Sequence, residues 1–537
     1  MFRSLTAALL IAAAWPGLVL AGTEEPAAQA APGRSLLTGV DGVVIALYFL
    51  GMLGIGWYYS RQNKTADDYL LGGRTMKPWT VGLSLFATLL STITYLSMPG
   101  EMIAHGPMYF VALLAYPPIA LVVGLLFIPY FVRLPHTSAY EILQSRLGGG
   151  VRTLGAVFFL SLRLLWMSVI VDATASIVLV PLAGLDPAYT PYVCAVLGAT
   201  TVIYTSMGGI RAVVLTDVIQ TFVLLGGALV SLGLITWQLG GVGSWWPDAW
   251  AANWDPPTLG YDPTARISVV GVLTATFFWH VCTAGSDQMA MQRYFATRDA
   301  VAARRMYYIS LLASAVVISI LALVGLALLA FFRENPQLLG AEQSVEATAD
   351  QLFPRFIVVG LPRGMSGLVV AGLLAAAMSS LSSGLNSSCA VITVDFLDRF
   401  GRRAATERDH MRRTRYVAVS VGVLVVLLST FVGIVPGNLL DIAFKVTNLL
   451  VSPLFGLFFM ALFVRWATAF GTFVGAAFGL ATVVAINYWE LFTGEPGISF
   501  LWAMPLGLLI QVGTGALASL LPIGPPARPL AETNPPE

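Results

Sequence analysis

VGLSLFATLLSTITYLSMPGEM, residues 81–102, is apolar enough to cross a membrane, yet it carries six Ser and Thr residues and ends in Pro99-Gly100. A membrane helix has to satisfy its backbone internally, because no water is present to do so. An interrupted helix frees carbonyl groups, and freed carbonyls are tolerated at membrane depth only where they line a cavity or hold a ligand. The stretch therefore predicts a broken span in a transporter rather than a receptor.

A second segment, MSSLSSGLNSS at 378–388, has matching chemistry. Hydroxyls spaced i, i+3 and i+4 share a helix face, so Ala376, Ser379, Ser380 and Ser383 lie on neighbouring stripes. Such a face offers a small hard cation several oxygens without burying a full charge. On its own the segment equally fits close helix packing by small residues, with serines bonding back to their own carbonyls.

The whole chain supports a membrane setting. Its 537 residues are 57% hydrophobic and only 11% charged. Repeated apolar runs of about 20 residues predict an all-α polytopic membrane protein and not a barrel of short alternating strands. About thirteen spans are expected, near 40–59, 80–103, 108–132, 153–183, 190–206, 212–238, 267–290, 306–332, 364–395, 415–435, 438–464, 467–488 and 500–521. Residues 1–21 read as a signal peptide followed by an extracytoplasmic linker at 22–39; a single transporter domain fills 40–521 and a Pro-rich tail 522–537.

Alternate loops are rich in arginine, with clusters around Arg61, Arg133, Arg293 and Arg399, whereas loop 239–265 has no Lys or Arg. The positive-inside rule then puts the mature N-terminus outside and the C-terminus in the cytoplasm, in a plasma membrane that is a bacterial inner membrane. Cys194, Cys282 and Cys389 are scattered through apolar stretches and read as packing. No GxxxxGK[ST] phosphate loop and no catalytic constellation is present at span depth, so no enzyme is expected. Nothing implies nucleic acid or an obligate protein partner; the expected partners are a small solute, sodium and the lipid bilayer.

Four stretches together resemble the sodium:solute symporter family. They are TADDYLLGGR (65–74) with LSLFATLLSTITYLSMPGE (83–101), MGGIRAVVLTDVIQT (207–221), SDQMAMQRY (286–294) and GLLAAAMSSLSSGLNS (372–387). The resemblance implies the five-plus-five inverted repeat of the leucine-transporter fold, with repeats at about 80–238 and 267–464. It also implies a sodium ion (Na+) between the broken second span and the ninth. The matching ligands are the carbonyls of Ala87, Leu90 and Ala376 and the hydroxyls of Ser379 and Ser380. Some members hold a second sodium one turn further in, at positions matching Ser379, Ser382, Ser383 and Asp217. All are filled by competent ligands here, which favours two ions. Read from the residues alone, Asp217 could instead cap its span or pair with Arg211.

For the solute the resemblance points to Ser91, Thr94, Tyr109, His280, Thr283 and Lys445. Lys445 takes the place of a glutamine that touches sugar in glucose-type members. An ammonium there would meet an anionic solute, pair with Asp441 or Asp172, or snorkel. Sialic acid-transporting members carry an arginine where Trp166 stands, and a glutamine where Leu113 stands, which disfavours sialic acid but keeps a small carboxylate. The expected function is sodium-coupled secondary active import of a small organic solute, a carboxylate or other anion among them, by alternating access. The alternatives are a proton-coupled or uncoupled carrier, with His280 and Asp217 relaying protons, or a solute sensor that retains the fold.

Overall fold

The protein is represented by a computed structural model that describes residues 37–527, apart from 63–65, 134–137, 340–343, 346–347, 402–405 and 433–438. The expected signal peptide lies outside the described residues, as do most of the linker and the last ten residues. Among the described residues regular structure is helical, apart from one isolated bridge between Thr468 and Pro526.

In chain order, α1 spans Gly39–Ser60, followed by a bent pair, α2 (Pro78–Leu89) and α3 (Thr92–Ala104). Next come α4 (Pro107–Val132), α5 (Gly149–Leu182) and α6 (Thr190–Gln238). A second interrupted pair follows, α7 (Val269–Ser286) and α8 (Gln288–Phe295), then α9 (Ala300–Glu334) and the short α10 (Ala349–Val359). The rest are α11 (Met365–Phe400), α12 (Glu407–Ser429), α13 (Leu439–Phe463), α14 (Ala469–Asn487) and α15 (Ala503–Ala518).

Among the described residues ten helices are long and apolar enough to cross a membrane, or eleven with the α2–α3 pair taken as one span. The expectation of thirteen departs from this at two places. α6 is continuous over 49 residues where two spans are expected, although Gly209 interrupts it at φ 61°, ψ −164°. A straight helix of that length would measure about 74 Å, more than twice the hydrocarbon thickness of about 30 Å, so the glycine has to divide it. A Cβ on Gly209 would lie 2.6 Å from the Tyr69 carbonyl oxygen. The second place is α12, whose first turns, ERDHMRRTR, are charged.

Each half of the chain opens on a broken helix. α2 and α3 meet at 65° across Leu90 and Ser91. Leu90 is extended, and the Ser91 hydroxyl caps α3 by accepting from the Thr94 amide. Asp287 does the same between α7 and α8, with extended backbone and a carboxylate accepting from the Met289 amide at 2.8 Å. Sequence reading places the first interruption at Pro99-Gly100, and the structure moves it. Pro99 sits inside α3, and Gly100 is a packing site where a Cβ would strike the Asp350 carboxylate.

α11 is the axis of the bundle. Every residue from 369 to 391 is buried, against α1, α2, α5, α6 and α12. The peripheral helices α1 and α14 instead expose Leu47, Leu50, Phe473 and Phe478, as lipid-facing helices do. Asp41 ties α1 to the start of α11 by accepting from the amides of Gly364 and Gly367 at 2.8 and 2.7 Å.

The two ends of the bundle carry different charge pairs. Toward the arginine-rich loops, Arg293–Asp217, Arg163–Asp287 and Arg152–Asp395 are all buried. At the opposite end Glu101 receives a fork of two hydrogen bonds from Arg266, at 2.8 and 2.9 Å, and His105 meets Asp255 at 3.0 Å. Here Arg266, His105 and Asp255 keep 24%, 26% and 44% of their side-chain surface exposed.

Candidate functional site

The break in α2–α3 lies directly against the serines of α11. The last carbonyls of a helix have no intrahelical partner, and at Leu90 the chain turns extended instead of supplying one. α11 provides it. The Ser379 hydroxyl lies 2.8 Å from the Ala87 carbonyl and 3.1 Å from that of Ala376. The Ser380 hydroxyl lies 3.0 Å from the Thr88 carbonyl and 3.2 Å from that of Leu90. All five oxygens expected for the first sodium thus fall in one buried cluster. The Thr88 carbonyl joins them, and neither its burial nor its reach is visible in the sequence.

One turn further along α11 a second cluster forms around Asp217, which is 0% exposed. Asp217 Oδ2 accepts from the Ser84 hydroxyl at 2.5 Å and from Arg293 Nη2 at 3.1 Å. Arg293 Nη2 also donates to Ser383 Oγ at 2.7 Å and to Thr88 Oγ1. Ser382 Oγ donates to the Ser379 carbonyl at 3.1 Å, so Ser382 and Ser383 flank the junction between the clusters. Asp217 Oδ1 is buried without a hydrogen-bond partner.

Two expectations change here. The carboxylate pairs with Arg293 and not with Arg211, which donates to the Gly72 carbonyl. Arg293, counted from sequence among the loop charges, is only 1% exposed, because the break at Asp287 turns α8 back into the core.

Beside the first cluster is a cavity of about 150 Å³ bounded by α2, α3, α4, α5, α7, α9 and α13. Leu90 lines it while the Leu90 carbonyl belongs to the serine–carbonyl cluster, so the two share a residue. Of the six expected solute residues, Thr94, Tyr109 and His280 line the cavity. Ser91, Thr283 and Lys445 do not. Ser91 turns its hydroxyl to the α3 cap. Thr283 lies three residues beyond His280, buried with an unpartnered hydroxyl. On α13 the cavity is met by Phe444 and Thr447, and residue 445 between them falls on another face. The side chain of Asp441, one expected partner of Lys445, lies outside the described residues; Asp172 forms no ion pair with Lys445 within 4.0 Å. Trp166 and Leu113 both line the cavity, and Arg163 is drawn away to Asp287. Tyr116, Thr276, Trp279, Tyr307, Ser310 and Ser314 line it as well. The sequence gives no signal for them beyond their place on amphipathic turns.

The sequence model of the sodium:solute symporter family matches residues 69–479. The chain belongs to that family. It is 29% identical over 499 residues to the sodium/sialic acid symporter SiaT of Proteus mirabilis, covering 92% of this chain and 97% of that protein. It is 31% identical over 474 residues to the sodium-dependent multivitamin transporter of Oryctolagus cuniculus, covering 86% of this chain and 73% of the relative. Among solved structures, a substrate-bound, outward-open Na+-coupled sialic acid symporter superposes with a TM-score of 0.78 at 27% identity, over 91% of this chain and 99% of that one. Mhp1, a nucleobase-cation-symport-1 family transporter, matches at a TM-score of 0.56 and 14% identity, over 84% and 93%, and speaks for the fold alone. The chain is therefore a polytopic sodium-coupled symporter of the leucine-transporter fold, and not an enzyme.

Proposed function

We propose that this symporter imports a small organic solute by holding one Na+ between the α2–α3 break and Ser379 and Ser380, next to the solute cavity. The observation that carries the reading is the convergence of the Ala87, Thr88 and Leu90 carbonyls on those two hydroxyls. Hydroxyl and carbonyl oxygens suit a hard monovalent cation, and none of them adds a buried charge. Sodium binding draws α3 toward α11, and because Leu90 belongs to both sites the same movement completes the cavity. Coupling is then a difference in sodium affinity between two global states.

A second Na+ is assigned to the unpartnered Asp217 Oδ1 with Ser382 and Ser383 one turn further in. The support is a buried carboxylate oxygen that lacks a partner although its twin has two. Arg293 neutralises the carboxylate formally, so this ion binds as net added charge and should be the weaker of the two. We place the arginine-rich loops in the cytoplasm and the loop at 239–268 outside, in a plasma membrane taken to be a bacterial inner membrane.

Uptake by proteoliposomes in sodium and in choline tests the reading. Wild type should accumulate solute only in sodium. Ser380→Ala should raise the half-saturating sodium concentration about tenfold or more while folding normally. Equal uptake in the two salts would end the proposal.

A further inference from the structure

Resting on that reading, we infer that the solute is an uncharged molecule with a planar aromatic or heteroaromatic ring and one or two hydrogen-bonding substituents. Three features of the cavity point there.

The first is its walls. Tyr109, Tyr116, Trp166, Trp279, Tyr307 and Phe444 line it from five different helices. Edge-to-face contacts fix several of these rings: Tyr116 on His280 at 5.1 Å, Trp279 on His280 at 4.8 Å and Tyr109 on Phe444 at 6.3 Å. Rigid aromatic walls favour a flat guest through stacked and edge-on contacts. A cavity of about 150 Å³ is of the size that admits a benzene-sized ring.

The second is charge. Among the described residues, no Lys, Arg, Asp or Glu side chain lines the cavity. The neighbouring guanidinium groups of Arg163 and Arg293 are committed to Asp287 and Asp217. A carboxylate entering such a pocket would lose its hydration and meet no fixed cation. Wall hydroxyls could donate to it, but its counter-charge would have to come from the transported sodium, and probe pairs compared in sodium and in choline read that case directly.

The third is the kind of polar group present. The cavity offers hydroxyls, among them those of Thr94, Ser97, Thr276, Ser310 and Thr447, and no Asn or Gln. The Tyr307 hydroxyl is buried without a partner, and its ring lies in the wall. Each hydroxyl donates one bond and also accepts, which suits an amide, a ring N–H or a ring carbonyl.

The test uses isosteric pairs, benzamide against benzoate and nicotinamide against nicotinate, on the purified full chain. Thermal unfolding is recorded in sodium and in choline, with and without each probe. The sodium-induced shift without probe reports on the cation reading by itself. With sodium present, at least one amide should raise the melting temperature further, and its carboxylate should need at least tenfold higher concentration for the same shift. Trp166→Ala should abolish the amide shift and keep the sodium shift; Tyr307→Phe should weaken the amide about fivefold. Trp166→Arg, which puts a cation in the wall, should reverse the preference within each pair. A carboxylate as effective as its amide in the wild type overturns the inference, as does failure of both amides.

Discussion

At the scale of the residue, Thr88 and Arg293 organise the centre of the molecule, and neither is among the residues expected to bind the ions. Thr88 gives its carbonyl to Ser380 and its hydroxyl to Ser383 and Arg293, so one residue belongs to both polar clusters. Which serines and carbonyls would converge was legible, because i, i+3 and i+4 spacing fixes a helix face whatever lies opposite. The partner of Asp217 was not legible, since Arg293 is far along the chain and reads as one more loop arginine. Removing either partner leaves a buried charge uncompensated, at a cost of about 3–5 kcal/mol. Arg293→Gln and Asp217→Asn should each lower thermal stability steeply, and the double variant should lose less than the sum of the two. Strict additivity in that cycle would show that the pair contributes nothing as a pair.

At the scale of the element, the helix breaks separate what sequence conveys from what it hides. Span positions followed from apolar length alone, and most lie within a few residues of the observed helices. The breaks did not follow. Pro99-Gly100 looked like the interruption, but proline is accommodated within α3, and Gly325 lets α9 approach so closely that a Cβ there would lie 2.6 Å from the Pro99 carbonyl oxygen. The true break falls at Leu90-Ser91, where nothing but a serine able to cap the next helix marks it. The α7–α8 break at Asp287 was missed for the same reason, although Ser286-Asp287 is a recognisable helix start. Gly209 belongs to this scale too. Gly209→Ala combines a backbone conformation essentially confined to glycine, costing about 1–3 kcal/mol, with a collision against the Tyr69 carbonyl. It should sharply reduce the yield of folded protein, whereas Gly233→Ala, which meets nothing within 4 Å, should leave it unchanged.

At the scale of the whole molecule, ion number sets how far a solute can be concentrated. Each sodium crossing about 100 mV gains roughly 2.3 kcal/mol, and a tenfold gradient adds about 1.4 kcal/mol. Two ions supply about 7 kcal/mol, enough for roughly five decades of an uncharged solute, and one ion supports fewer than three. Accumulation at zero net flux should therefore exceed a thousandfold in wild type and fall below it in Ser382→Ala/Ser383→Ala; unchanged accumulation would remove the second ion. Electrolyte should also act unequally on the two ends of the bundle. The Arg152–Asp395 and Arg163–Asp287 pairs are nearly buried on both sides, whereas Arg266, His105 and Asp255 are part-exposed around the buried Glu101. The Debye length shrinks from about 10 Å at 0.1 M salt to about 3 Å at 1 M, and buried pairs are screened much less than exposed ones. Concentrated potassium chloride should then unlatch the Glu101–Arg266 end while its opposite stays shut. A Ser97→Cys probe in the cavity wall should label faster from that side alone, so that ambient salinity biases which way the empty carrier faces.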